Sequence, residues 1–123
     1  MKSFSLKGQY TLSLHYFGRK HPKNHLDLFL LPGYEKHHLD DKVLITYHIS
    51  FDQWRRRFSQ PIIAKRGENH RYRYLFFSGK VANGNNGKVR LLQHGKFLAT
   101  AGFIQKTGNV LLRIGKKNAM EEK

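Results

Sequence analysis

The chain of 123 residues contains no cysteine. That excludes disulfides, thiolate zinc sites and a cysteine nucleophile, and leaves the redox compartment open. No apolar run approaches the roughly 20 residues of a membrane span. The opening MKSFSLKGQYTLS soon alternates and does not read as a secretory leader. Internal repeats and low-complexity segments are missing, and no Ser/His/Asp or nucleophile-elbow spacing occurs. Acidic side chains are scarce, with 8 Asp plus Glu against 23 Lys plus Arg. The length suits one domain and not two. The expectation is a cytoplasmic protein with no membrane association.

The formal charge of +15 is spread along the chain, so the folded body itself is expected to be basic and to attract polyanions, nucleic acid first. No basic amphipathic helix offers a membrane-binding alternative. Periodicity is two almost throughout. Tyr10, Leu12, Leu14 and Tyr16 alternate with polar residues, and in KVLITYHIS Val43, Ile45, Tyr47 and Ile49 fall on one side. HLDLFLL, HRYRYLFF, GKVRLLQ, KFLATAGFIQ and NVLLRI continue the series. Leu-Pro-Gly at 31–33, Asn83 to Gly87, His94-Gly95 and Thr107-Gly108-Asn109 read as turns. Ser50 and Gln53 fit a capping box over one short helix. Seven or more short strands in so small a chain predict a mostly β fold, a closed or nearly closed β-barrel with one short helical segment. Residues 1–117 form a single basic β-barrel domain in this reading, and 118–123 a frayed C-terminal tail.

Within HPKNHLDLFLL, His25 and Asp27 share one strand face while Leu26, Leu28 and Leu30 share the other. Imidazole and carboxylate suit manganese or zinc, and His21 joins them if the Pro-Lys-Asn segment loops back. The competing reading is a strand with polar residues on its wet side. Arg55, Arg56 and Arg57 lie between Trp54 and Phe58, suited to phosphate contact with stacking nearby, or to a solvated helix face over core aromatics. In His70-Arg71-Tyr72-Arg73-Tyr74-Leu75-Phe76, Phe76 is assigned to the core and His70 and Tyr74 are left open. The glycine-asparagine loop at 83–87 lacks the strand-to-helix context of a nucleotide loop and reads as a hairpin turn. His37-His38 beside Asp40-Asp41 reads as an exposed loop.

Taken in order, these segments resemble the 3′-phosphoesterase domain of bacterial DNA ligase D and its stand-alone archaeal relatives, over residues 12–117. That family's His-aromatic-Asp-Leu-Arg-Leu strand is matched by His25-Leu26-Asp27-Leu28-Phe29-Leu30. Asp41 to Ser50 is similar to its next strand. His70, Tyr74, Phe77, Gly79, Gly84 and Gly87 follow in family order, Gly87-Lys-Val89 leads into Gly95-Lys-Phe97, and Gly108 to Ile114 resembles the closing strand. The resemblance implies a compact β-barrel that trims DNA 3′ ends with manganese, ahead of zinc or another divalent metal. It also implies His25 and Asp27 as metal ligands with His21 the nearest candidate for a third, His70 as a phosphate-binding or acid group, and Tyr74 as its support.

Three departures bear on catalysis. Phe29 stands where the family has a phosphate-gripping arginine, and phenylalanine supplies none of arginine's donors. The family's first ligand histidine falls at Arg19; His21 is two residues too close and His15 too far. Phe51 replaces a lysine. Arg19, Arg57 or Lys65 are the candidates to compensate, with Arg55, Arg56, Arg71 and Arg73 completing a nucleic-acid-binding set, DNA ahead of RNA. The alternatives are a catalytically degenerate DNA- or RNA-binding subunit of a larger nucleoprotein complex, and a basic protein docking onto an acidic protein partner.

Overall fold

Alternating apolar residues build one antiparallel sheet. The computed structural model describes residues 5–60, 62–81, 87–100 and 109–112. Its strands are β1 (Ser5–Tyr16), β2 (His25–Pro32), β3 (Ile45–Ser50), β4 (Ile62–Arg66), β5 (Gly79–Lys80), β6 (Lys88–Thr100) and β7 (Asn109–Leu112), and the only α-helix among the described residues is α1 (Phe51–Arg55). They lie in the order β5-β6-β1-β2-β3-β4-β7. Phe97 of β6 and Ile62 and Ala64 of β4 stand far apart in that order, yet they share one buried cluster with Tyr10, Leu12, Leu26, Leu28, Leu30, Tyr47 and Ile49. The sheet therefore curls around this cluster into a nearly closed barrel, without a β5–β7 ladder among the described residues. None of the described helices is long and apolar enough to cross a membrane.

The other face carries a second cluster. Phe29, Leu31 and Leu44 pack against Tyr72 and Leu75, which belong to a short 3-10 helix, Tyr72–Leu75. Here the structure departs from the expected strand. The residues that bury are three apart, and the backbone N–H groups of Tyr72 and Arg73 donate to the carbonyls of Asp41 and Leu39 in place of a strand ladder. The turn leaves Phe76 58 % exposed, so it does not join the core. Thr11 Oγ1 donates to the Leu75 carbonyl at 2.7 Å and ties this segment over β1.

Two other expectations change. His94-Gly95 is not a turn, because β6 runs through it. A Cβ at Gly95 would stand 3.2 Å from the Tyr10 ring, so the glycine marks close packing between β6 and β1. The Ile62–Arg66 strand had no place in the alternation read from the sequence. Ser50 does cap α1, accepting from the Gln53 N–H at 3.2 Å. The Gln53 side chain does not complete a capping box. It exchanges hydrogen bonds with the Ile63 backbone at 2.7 and 3.3 Å and clamps α1 to β4. The tail at 118–123 and most of the 83–87 loop lie outside the described residues.

Candidate metal centre

Strand pairing decides which polar residues meet. In the β1–β2 hairpin His15 is opposite His25 and Ser13 opposite Asp27, and across β2–β3 Asp27 is opposite His48. Directly opposed residues share a face, so His15, Ser13, His25, Asp27 and His48 converge on the side away from the barrel core. The hairpin loop fixes this register. Buried Asn24 accepts from the Phe17 N–H and donates to the Gly18 carbonyl, both at 2.7 Å.

One ligand atom each from His15, His25 and Asp27 lie within 4.8 Å of one another. His25 Nδ1 is 2.7 Å from the Lys23 carbonyl, which can only accept, so Nδ1 carries the proton. In the neutral ring Nε2 then bears a lone pair, and it lies 3.4 Å from Asp27 Oδ1. Two electron-rich atoms so placed call for a proton or a cation between them. With the proton present, the carboxylate raises the His25 pKa against the opposing effect of partial burial. Burial alone would raise Asp27, but hydrogen bonds and charge from His25 and His48 outweigh it and hold the carboxyl well below the usual range. His48 Nδ1 donates to Asp27 Oδ1 at 2.6 Å. Beneath them Ser13 Oγ is buried with no hydrogen-bond partner among the described residues. The donor set fits a divalent cation: two imidazoles and a carboxylate, one imidazole oriented by a backbone carbonyl and the carboxylate by a further histidine.

His70 continues the row, with ring centroids 6.2 Å from His48 and 5.2 Å from Phe29. Its Nδ1 is 3.0 Å from the Glu68 carbonyl and 3.1 Å from Thr46 Oγ1. The carbonyl places the proton on Nδ1 and leaves Nε2 as the acceptor nitrogen of the neutral ring. Tyr74 packs edge-on at 6.0 Å. Lys65 is opposite His48 in the β3–β4 pair and exposed, at the rim of the row.

The other sequence-derived candidates disperse. His21 lies outside the ligand group, stacked on Phe17 at 5.3 Å with Nδ1 accepting from the Lys23 N–H. Arg19 is exposed in the same hairpin loop. Arg71 and Arg73 reach Asp40 at 3.8 and 2.6 Å, Arg56 pairs with Asp52 at 2.8 Å, and Arg55 is exposed. The Arg57 guanidinium sits 4.0 Å from the Trp54 ring centroid and 4.5 Å from that of Phe58 and donates to the Trp54 carbonyl. Phe29 is 2 % exposed in its apolar cluster.

His15 and His48 escaped the sequence reading. Linear spacing puts His15 too far from His25, whereas the hairpin register sets the two directly opposite each other. His48 had a usable signal: it has the opposite parity to Ile45, Tyr47 and Ile49, so a strand there turns it away from the core. No family model and no curated protein matches the chain.

Proposed function

We propose that this protein is a metal-dependent phosphoesterase acting at the 3′ ends of nucleic acid, with His15, His25 and Asp27 as the cation's ligands. The observation that carries the reading is the convergence of those three donor atoms within 4.8 Å on a basic protein. Manganese is the cation of choice from the resemblance, with zinc as the alternative. A divalent cation there supplies neutralisation of phosphoryl oxygens and a water of lowered pKa. The chain's own part is orientation and proton handling. The Lys23 carbonyl aims His25 Nε2 inward, and His48 keeps Asp27 ionised and fixed. His70 Nε2 exchanges a proton with the departing or attacking oxygen. Lys65 adds positive charge at the rim, in partial compensation for the family's arginine, whose position Phe29 takes.

The test is release of phosphate from a 3′-phosphate-ended primer-template with manganese, alongside the melting temperature with and without the metal. Metal-dependent release that Asp27→Asn abolishes supports the reading. No release by the wild type, together with identical metal-induced melting shifts for both proteins, sinks it.

Phe29 favours one second reading. Its burial among Leu31, Leu44, Tyr72 and Leu75 fills the family's arginine position with packing, as expected of a barrel that binds nucleic acid without cleaving it, as a subunit of a larger assembly. Salt-sensitive DNA or RNA binding in the absence of any release is its signature.

A further inference from the structure

A ladder of rings leads away from the metal centre. His25 and His15 have centroids 5.1 Å apart, His15 stacks on Phe17 at 4.6 Å and 21°, and Phe17 stacks on His21 at 5.3 Å and 27°. The outer rings, with Tyr16, line a cleft of about 570 Å³ that Lys80 and Lys88 also line. Tyr16 is opposite Lys88 in the β1–β6 pair, and Lys88 is opposite Lys80 in the β5–β6 pair.

Two features give the cleft a ligand chemistry. First, it is built only from stretches without acid: residues 1–26 and 69–120 contain no Asp or Glu. Among the described residues neither lysine has an ion pair. Like charges directly opposed across a strand pair destabilise it, so Lys80 and Lys88 together favour an anion between them. Second, the cleft is lined by the rings of Tyr16, Phe17 and His21, which suit unpaired bases and not the side chains of an acidic peptide. A paired duplex offers no free base face to such a ledge.

We propose that this cleft seats the single-stranded nucleic-acid tail next to the 3′ end, with bases against Tyr16 and the outer face of His21 and phosphates on Lys80 and Lys88. The assignment rests on the reading of the adjoining centre as a 3′-end site. It goes further by giving the substrate a form: an unpaired 3′ tail in preference to a blunt end.

Binding in EDTA tests it apart from catalysis. Fluorescence anisotropy compares a labelled duplex carrying a 3′ tail of about six thymidines, a length within the span such clefts hold, with the same duplex blunt. The expected result is binding of the tailed form about five- to tenfold tighter. Tyr16→Ala, and Lys80→Ala with Lys88→Ala, each bring it close to the blunt value. The double lysine variant also lowers the salt slope by about 1.4, two single-strand phosphate contacts, while melting no lower than wild type. Equal affinity for the two forms, tail affinity unmoved by either variant, or displacement of the tail by polyglutamate as readily as by oligothymidine overturns it. Phosphate release by a wild type without tail preference rejects the cleft and leaves the centre's reading intact. Tail preference without release does the reverse.

Discussion

His48 and Asp27 face each other across β3 and β2, and the imidazole Nδ1 donates to Asp27 Oδ1 at 2.6 Å. Asp27 is only 6 % exposed, so this carboxylate is covered although it lies on the strand face that alternation turns to solvent. Asp27→Asn keeps the shape and removes the charge that His25 and His48 share. The expected outcome is loss of manganese-induced stabilisation together with about 1.5–3 kcal/mol of folding stability, the value of hydrogen bonds to a charged group. Chemical denaturation with and without the metal measures both.

Gly67 controls the same contact from the other side. A Cβ there would collide with His48 Nε2, so Gly67→Ala forces the imidazole to swing away. The backbone at Gly67 is not in the left-handed region, and only a side chain has to move. The variant is expected to fold with a melting temperature within a few degrees of wild type, yet to match His48→Ala in metal binding and in any phosphate release. Tight metal binding by Gly67→Ala would mean that His48 does not hold the carboxylate in place.

The centre also predicts a pH dependence. His25 has a pKa raised above 6.5 in the folded state by Asp27, so its contribution to stability is complete below that value and fades as pH rises through the folded value. Asp27 is depressed from 3.8; its contribution is present above that and is lost only in stronger acid. The metal-free protein should therefore gain most from this pair between about pH 4 and 6.5 and lose the His25 part of that gain as pH rises through the folded His25 value. Manganese should reverse the trend on the alkaline side, because protons and metal compete for His25 Nε2. Melting curves from pH 5 to 8, with and without manganese, read both trends, and Asp27→Asn should flatten them.

The barrel was legible because its strongest signal is local. Parity alone puts Leu26, Leu28 and Leu30 inside and His25 and Asp27 outside. The centre was legible only in part, because its members come from β1, β2 and β3 and are joined by register, which linear spacing does not report. Arg71 and Arg73 alternate with aromatics as on a strand, so the local pattern hides the 3-10 turn at Tyr72–Leu75. What decides there is remote: Asp40 draws both guanidinium groups, and the 39–41 backbone takes the amide hydrogen bonds. Gly95 shows the same limit, since a glycine after a histidine reads as a turn until Tyr10 is known to lie against it.

Leu28 offers a control for stability free of site chemistry. It is 2 % exposed in the barrel interior, on the face opposite to Asp27. Leu28→Ala is expected to cost about 2–5 kcal/mol, visible as a lower denaturant midpoint with an unchanged slope. Metal binding, measured well below the new midpoint, should stay within about twofold of wild type. A larger loss would mean that the core and the centre do not act as independent sites.

Phe29 separates the enzyme from the binder. It lies on the face of His25 and Asp27, against Leu31, Leu44, Tyr72 and Leu75, with its ring 5.2 Å from His70 and 6.4 Å from Tyr74. Phe29→Arg restores the charge the resemblance places here, but it must fit a guanidinium into an apolar pocket. Asp27, two residues along the same face, is already engaged by two histidines. An unpaired charge at a site of this burial costs several kcal/mol, so the expected outcome is a large drop in melting temperature and no gain in release. Phe29→Leu provides the comparison, since it keeps the pocket apolar and should cost less than about 2 kcal/mol. If Phe29→Arg instead melts near wild type and releases 3′-phosphate faster, the 3-10 segment can open to admit the side chain toward the metal centre. The chain would then be an enzyme attenuated at one position, and the packed phenylalanine the reason for its attenuation.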